Sequence, residues 1–359
     1  MKTIYLILTC LFVVFSSCET HSSPVKEPDP VDPDPVEIDT TLQALSPFHF
    51  GAAISMTNID DVKYRNLVIT EFNSVTPIGA MKMTRIRKVK GTFDFTDADY
   101  IVDFAEQHDK RVHGHTLLWG KVPDWLNSVQ EDSAFWENFI KEHIHTVVGR
   151  YKGRVAAWDV VNEAIDDNGQ VKPDNFWTKR LGKGYIERAF IYAHEVDPDA
   201  LLFYNDYGHE YSNKRLNAIT RMLIDFKKRD IPVHGVGLQM HTRYNLGDER
   251  WKNAMEVVAS TGLKVHISEL DISVNPTADQ NAVFTPALAQ AQKEKYRYFV
   301  EAYNALPEEQ KHGITTWGVG DKDTWIRGSK KRPEWPLPFD DDYERKPAYY
   351  GIIEGLGKD

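Results

Sequence analysis

The chain has 359 residues, is 42% hydrophobic and 12% aromatic, and carries a formal net charge of −10. That is enough apolar mass for one large core, since α/β barrels run past about 200 residues as single domains. The acidic balance has no basic stripe and would repel a phosphate backbone, which excludes nucleic acid as a partner. Both cysteines, Cys10 and Cys18, fall at the extreme N-terminus, so no disulfide framework can hold the folded body.

The first segment has the layout of a secretory signal over residues 1–17. Lys2 supplies a positive start, Ile4 to Phe15 is an almost unbroken apolar run, and small Ser16 and Ser17 follow. The run is too short to remain as a membrane-spanning helix. A cysteine directly after the small residues resembles a bacterial lipobox, with Phe15 where Leu is usual. The resemblance implies a lipidated Cys18 and a secreted protein anchored to the outer membrane, exposed at the cell surface, touching the membrane through its lipid alone. Several acyl chains on one cysteine give stable anchoring. Residues 18–40 then form a linker. Its stretch SSPVKEPDPVDPDPVE places five prolines between Pro24 and Pro35, interleaved with acids. Proline extends the backbone, like charges repel, and there is little apolar surface to bury, so a semi-stiff stalk is expected.

From residue 41 to 359 short β-branched and aromatic runs alternate with longer amphipathic ones. Strands are expected at Phe48–Ser55, Phe72–Pro77, Arg111–Trp119, Val155–Glu163, Ala200–Tyr207, Val233–His241, Lys264–Ile272 and Gly313–Val319. Helices are expected at Ala98–His108, Ala134–Tyr151, Gly184–Val196, Lys214–Arg229, Trp251–Thr261 and Leu288–Leu306. Strand-then-helix alternation implies a parallel sheet with right-handed crossovers. Eight repeats predict closure into a (β/α)8 TIM barrel, one catalytic domain. The alternative, a doubly wound open sheet binding a dinucleotide, lacks the Gly-x-Gly-x-x-Gly after its first strand.

A barrel does its chemistry at the C-terminal ends of its strands. Strand four ends WDVVNE (Trp158–Glu163) and strand seven carries HISELD (His266–Asp271), so Glu163 and Glu269 stand where reactions occur. Carboxylates buried in a sheet are costly without partners. Cleavage of a glycosidic bond needs two that face each other. One protonates the leaving oxygen; the other attacks the anomeric carbon across a gap of about 5–5.5 Å, or activates water across roughly 6.5–9.5 Å. Strand alternation puts His113 and His115 on one face, and Gln239 and His241 on another. Two readings of these histidines stay open. One is a zinc site of His113, His115, His241 and Asp271; the other is hydrogen bonding to sugar hydroxyls and carboxylates. A His-x-His on strand three, where barrel metallohydrolases usually have it on strand one, favours the second, and no metal or cofactor is expected. Trp119, Trp317 and Trp325 sit at mouth positions and suit the apolar face of a pyranose.

These residues resemble glycoside hydrolase family 10, the TIM-barrel xylanases, over nearly all of residues 41–358. The motifs are GHTLLW (Gly114–Trp119), WDVVNEA (Trp158–Ala164), LFYNDY (Leu202–Tyr207), GVGLQMH (Gly235–His241), HISELD, TWGVGDKDTWIR (Thr316–Arg327) and PLPFDDDYERKPAYYGI (Pro336–Ile352). Their joint order is far more specific than any one alone. The resemblance implies a retaining endo-β-1,4-xylanase acting on xylan or xylo-oligosaccharide as a monomer. Glu163 would be its acid/base, with Asn162 beside it on the sugar 2-hydroxyl, and Glu269 its nucleophile. His241, between Glu269 and Asp271, would keep the nucleophile ionised. Gln239, Asn205, His115 and Lys82 would contact sugar or the carboxylates, and Trp119, Trp317 and Trp325 would wall the subsite next to the broken bond.

Two stretches depart from the family pattern. Ile78-Gly79 and Met83-Thr84 stand where the family usually has Glu-Asn and Trp-Glu. Gly120-Lys121-Val122 replaces His-Ser-Gln, in a loop one residue shorter. Both departures remove polar groups on the glycone side, which predicts a wider or weaker second glycone subsite tolerant of decorated xylose. The rival readings are a non-catalytic glycan-binding lipoprotein on the same barrel, or another β-1,4-glycanase.

Overall fold

The expected runs become nine strands: β1 (Phe50–Ile54), β2 (Ser74–Pro77), β3 (Arg111–Trp119), β4 (Ala157–Asn162), β5 (Leu201–Asp206), β6 (Gly235–Leu238), β7 (His241–Arg243), β8 (Lys264–Ser273) and β9 (Lys311–Thr316). They come from a computed structural model that describes residues 40–358. The signal-like segment 1–17, Cys18 and residues 19–39 of the linker lie outside the described residues. All pairings are parallel, and β1 pairs with both β2 and β9 while β6 pairs with β8. The sheet therefore closes on itself with eight staves, the (β/α)8 barrel expected from the repeat. The ninth strand, β7, pairs only with β8 and prolongs the sixth stave.

Sequence predicted one continuous sixth strand, Val233–His241. The structure breaks it after Leu238, because Met240 takes a left-handed backbone (φ 57). Gln239 and His241 thus both reach the mouth through a kink rather than through simple alternation.

The register carries the site. Trp119 on β3 pairs with Asn162 on β4, Asn162 with Asn205 on β5, and Asn205 with Gly237 on β6. One rung therefore crosses four staves with polar side chains at the mouth. Gly237 is required there: a Cβ at that position would lie 2.1 Å from Asn205 Oδ1.

Helices cover the outside. The helix Ser133–Arg150 starts where Asp132 accepts the Phe135 N–H at 2.9 Å, a side-chain cap, and it buries Trp136, Phe139, Ile140, Ile144 and Val147. Each such side chain contributes about 1.5–3 kcal/mol of transfer free energy. The helix Pro286–Asn304 starts from a Thr285 cap with proline in its first turn. The helix Val62–Glu71 was not expected. Its interior is β-branched (Val68-Ile69-Thr70), and its buried face includes Glu71, which pairs with Arg345 at 2.6 Å, so no clean apolar stripe marks it. No described helix is long and apolar enough to cross a membrane.

The barrel floor is filled by Phe203, His113, His266 and His312, with ring centroids 4.4 to 6.0 Å apart. Burial holds His266 and His312 far below the ordinary histidine value, so both are neutral filler at any moderate pH.

Candidate active site

Glu163 follows β4 directly and has a left-handed backbone (φ 59), a conformation costing of order 1–3 kcal/mol in a non-glycine residue. Its N–H is held by Asn205 O at 2.9 Å. The turn aims its carboxylate into the mouth, where Trp119 Nε1–H donates to Oε2 at 3.0 Å. Oε1 receives Gln239 Nε2–H at 3.2 Å and, weakly, Asn162 Nδ2–H at 3.4 Å.

Glu269 lies inside β8, and its N–H is bound by Gln239 O at 3.1 Å. Asn205 Nδ2 donates to Glu269 Oε1 at 2.9 Å and to Asn162 Oδ1 at 3.0 Å. Gln239 Nε2 also reaches Asn162 Oδ1, at 3.3 Å. The two carboxylates are therefore joined by an unbroken carboxamide network through Asn205, Asn162 and Gln239. Ser268 fixes its orientation, since Ser268 Oγ–H donates to Asn205 Oδ1 at 2.6 Å and leaves that amide's nitrogen for Glu269.

On its other oxygen Glu269 meets His241 Nε2 at 3.1 Å, and His241 Nδ1 meets Asp271 Oδ2 at 2.8 Å. Trp325 Nε1–H donates to the same Asp271 oxygen at 2.8 Å. Burial disfavours the charged ring, but the two carboxylates outweigh it and push His241 up to about 10. Burial pushes the Glu269 carboxyl up; the His241 bond and the charges of His115, His241 and Lys82 overcome that, and its pKa falls below the usual range. Glu269 is thus held as an anion.

His113 Nε2 and His115 Nδ1 both bind Asp159, at 3.0 and 2.8 Å. The shared face expected from alternation is realised, but the partner was missed. Asp159 is a buried carboxyl inside an apolar strand, and that mismatch was the available signal. Ser268 was also missed, having no pattern of its own.

Trp119 and Trp317 face Lys82, whose Nζ lies 5.0 and 5.7 Å from their ring centroids. Burial pulls Lys82 below the ordinary lysine value, while the charges of Glu269 and Glu163 oppose that. Trp317 packs edge-on to His115, and Trp325 against His241. All twelve residues expected at the barrel mouth are brought into this one set of contacts. The four weighed for zinc are not a cluster. Among the described residues, the group with ligand atoms mutually within 4.8 Å is His113, His266 and His312, packed in the floor.

A closed parallel barrel that presents two carboxylates in one polar, tryptophan-walled mouth is the arrangement of a glycoside hydrolase. The chain belongs to glycosyl hydrolase family 10, whose model matches residues 39–355. It is 38% identical over 321 residues to a β-1,4-xylanase of Dictyoglomus thermophilum, covering 86% of this chain and 88% of that one. It is 36% identical over 350 residues to an endo-β-1,4-xylanase of Cellvibrio japonicus, covering 88% of this chain and 57% of the relative's length. The fold matches a crystal structure of a Thermotoga petrophila xylanase in complex with xylobiose. The TM-score is 0.82 at 34% identity, over 88% of this chain and 97% of that one.

Proposed function

We propose that this chain is a retaining endo-β-1,4-xylanase, with Glu269 as nucleophile and Glu163 as general acid/base. The observation that carries the assignment is the asymmetry of the two carboxylates. Glu269 is clamped between the His241 imidazolium and Asn205, which keeps it anionic, as a nucleophile must be. The hydrogen bonds to Glu163 come from neutral donors, Trp119, Gln239 and Asn162, and no histidine clamps it as His241 clamps Glu269, which suits a group that gives and takes a proton.

In the first step Glu269 attacks the anomeric carbon while Glu163 passes its proton to the departing glycosidic oxygen. A covalent glycosyl-enzyme forms and the leaving chain departs with the new hydroxyl. In the second step Glu163, now a carboxylate, takes a proton from water as that water attacks the same carbon and frees Glu269. Asn162 is assigned to hold the 2-hydroxyl of the reacting sugar. Trp119, Trp317 and Trp325 pack on its apolar faces and exclude water. Xylan is the substrate named for the relatives, and it sets the expectation here. Proton NMR of the first product released from xylohexaose tests the assignment. Net retention of the β-anomer is expected, and an α-anomer formed first overturns it.

The second glycone subsite is proposed to be wide. A hollow of about 190 Å³ is lined by Ile78, Gly79, Ser55 and Thr57, and a Cβ added at Gly79 would meet nothing within 4 Å. Product profiles on plain and decorated xylan test this; ordinary patterns and rates on both would contradict it.

Residues 1–40 are proposed to form a lipoprotein signal and stalk, on the strength of Lys2, the apolar run, Cys18 and the proline–acid tract. Cys18→Ser should abolish labelling by radioactive palmitate and move the protein from membranes to medium.

A further inference from the structure

Beside Glu163 the barrel mouth opens into a hollow of about 490 Å³, within the size range of sites that take a sugar-sized ligand. Trp119, Lys121, Glu163, Asp166, Lys172 and Asp174 line it. Its charges are unevenly matched. Asp166 Oδ1 is occupied by the N–H groups of Asn168 and Gln170, both at 2.9 Å, and Asp174 pairs with Lys179 at 3.4 Å. Among the described residues, neither Lys121 nor Lys172 forms an ion pair. Lys121 Nζ rests over the Trp119 ring, 4.4 Å from its centroid, and Lys172 Nζ lies over the Tyr207 ring at 4.9 Å and 3.3 Å from its hydroxyl. Lys121 and Lys172 thus line one hollow, each with its ammonium held against an aromatic ring.

We infer that this hollow binds an acidic side group of the glycan, a uronic acid whose carboxylate is taken by Lys121 and Lys172. The inference rests on the xylanase reading and deepens it. The hollow is continuous with Glu163, so its occupant is attached to the chain whose bond Glu163 protonates. Trp119, on whose ring the Lys121 ammonium rests, walls the hollow, and the lysines offset the repulsion between an incoming carboxylate and Glu163. A neutral arabinose branch gains nothing from the two cations, so the hollow discriminates by charge.

The test compares kcat/KM on glucuronoxylan with kcat/KM on neutral arabinoxylan, for wild type, Lys121→Met, Lys172→Met and the double variant. Solvent-facing ion pairs are weak, so a fall in that ratio of roughly two- to fivefold per lysine is expected. Lys121→Glu should lower it further. A ratio unchanged in the double variant overturns the inference. Should a variant fail to fold, the wild-type ratio is read at low and high salt. It should fall as salt screens the pair, and a salt-independent ratio overturns the inference equally. Wild type inactive on both polymers would instead remove the xylanase reading on which this depends.

Discussion

His241 Nε2 lies 3.1 Å from Glu269 Oε2 while its Nδ1 lies 2.8 Å from Asp271, so one imidazolium is shared by two carboxylates. Its raised pKa, about 10, makes both ring nitrogens donors through neutral pH. A group whose folded pKa is raised stabilises the fold fully below its ordinary value and loses that effect as pH rises through the folded one. Glu269, with its pKa lowered, contributes above the ordinary carboxylate range and loses its effect on acidification. The pair is therefore intact from mildly acid to about pH 9. His241→Gln should move the acidic limb of the kcat/KM profile to higher pH, because Glu269 loses its cation. The rate at neutral pH should fall roughly ten- to a hundredfold, since hydrogen bonds to charged groups contribute about 1.5–3 kcal/mol. Wild type should lose more melting temperature than the variant on going from neutral pH past about 10. Parallel pH–rate profiles for the two proteins would contradict the clamp.

Glu163 is assigned to proton transfer, which depends on the leaving group. On xylan, where the departing alkoxide is strongly basic, Glu163→Gln should cost about 10²–10⁴-fold. On a dinitrophenyl xylobioside, whose leaving group needs no proton, the first step should proceed and the covalent enzyme accumulate, visible as a burst followed by slow turnover. Equal losses on both substrates would argue that Glu163 only binds sugar.

Gly237 tests whether the carboxamide network matters. A methyl group there would sit 2.1 Å from Asn205 Oδ1, and Asn205 is what joins Glu269 to Asn162. The backbone of Gly237 has no positive φ, so Gly237→Ala is a packing change only. Overpacking of this kind costs about 1–3 kcal/mol. Displaced by even part of an ångström, Asn205 would misorient both partners. A fall in kcat well beyond the fall in stability is expected, with KM little changed.

The barrel and its staves were legible because β-branched and aromatic runs alternate with amphipathic segments over most of the stretch from Phe48 to Val319, the unexpected helix Val62–Glu71 being a gap in that pattern. Glu163 and Glu269 were legible because a carboxyl at the end of a barrel strand, or buried within its later residues, demands a reason. What sequence did not disclose is what depends on backbone shape. Met240 is an ordinary apolar residue by composition, yet its left-handed turn ends β6 and re-aims His241. Asp159 as the partner of His113 and His115, and Ser268 as the orienter of Asn205, depend on the register between neighbouring staves. Lys121 and Lys172 lie on different loops, fifty-one positions apart in the chain, and the parallel pairing of β3 with β4 sets them on one hollow.

The C-terminal helix Pro347–Gly355 is secured to the mouth by a buried ion pair whose removal gives a pH signature. Lys346 Nζ donates to Asp321 Oδ2 at 2.7 Å, Leu337 O at 2.8 Å and Trp335 O at 2.9 Å, and Leu337 N–H donates to Asp321 Oδ1 at 2.8 Å. Burial pushes Asp321 up to about 7, against the pull of Lys346. Lys346→Met leaves that carboxyl buried without its cation, a change that costs about 3–5 kcal/mol. At about 2–4 °C per kcal/mol, the melting temperature at neutral pH should drop by roughly 6–20 °C. A raised carboxyl destabilises a fold wherever the unfolded chain is ionised and the buried group resists ionisation, so the penalty grows with pH above the ordinary aspartate range. Removing the lysine raises Asp321 further. The gap between wild type and variant should therefore be smallest in acid and widen through neutrality. Adding Asp321→Asn to the variant should recover much of the loss, because the remaining amide has no charge to bury. A gap that is constant with pH would mean that Lys346 acts through its carbonyl contacts alone.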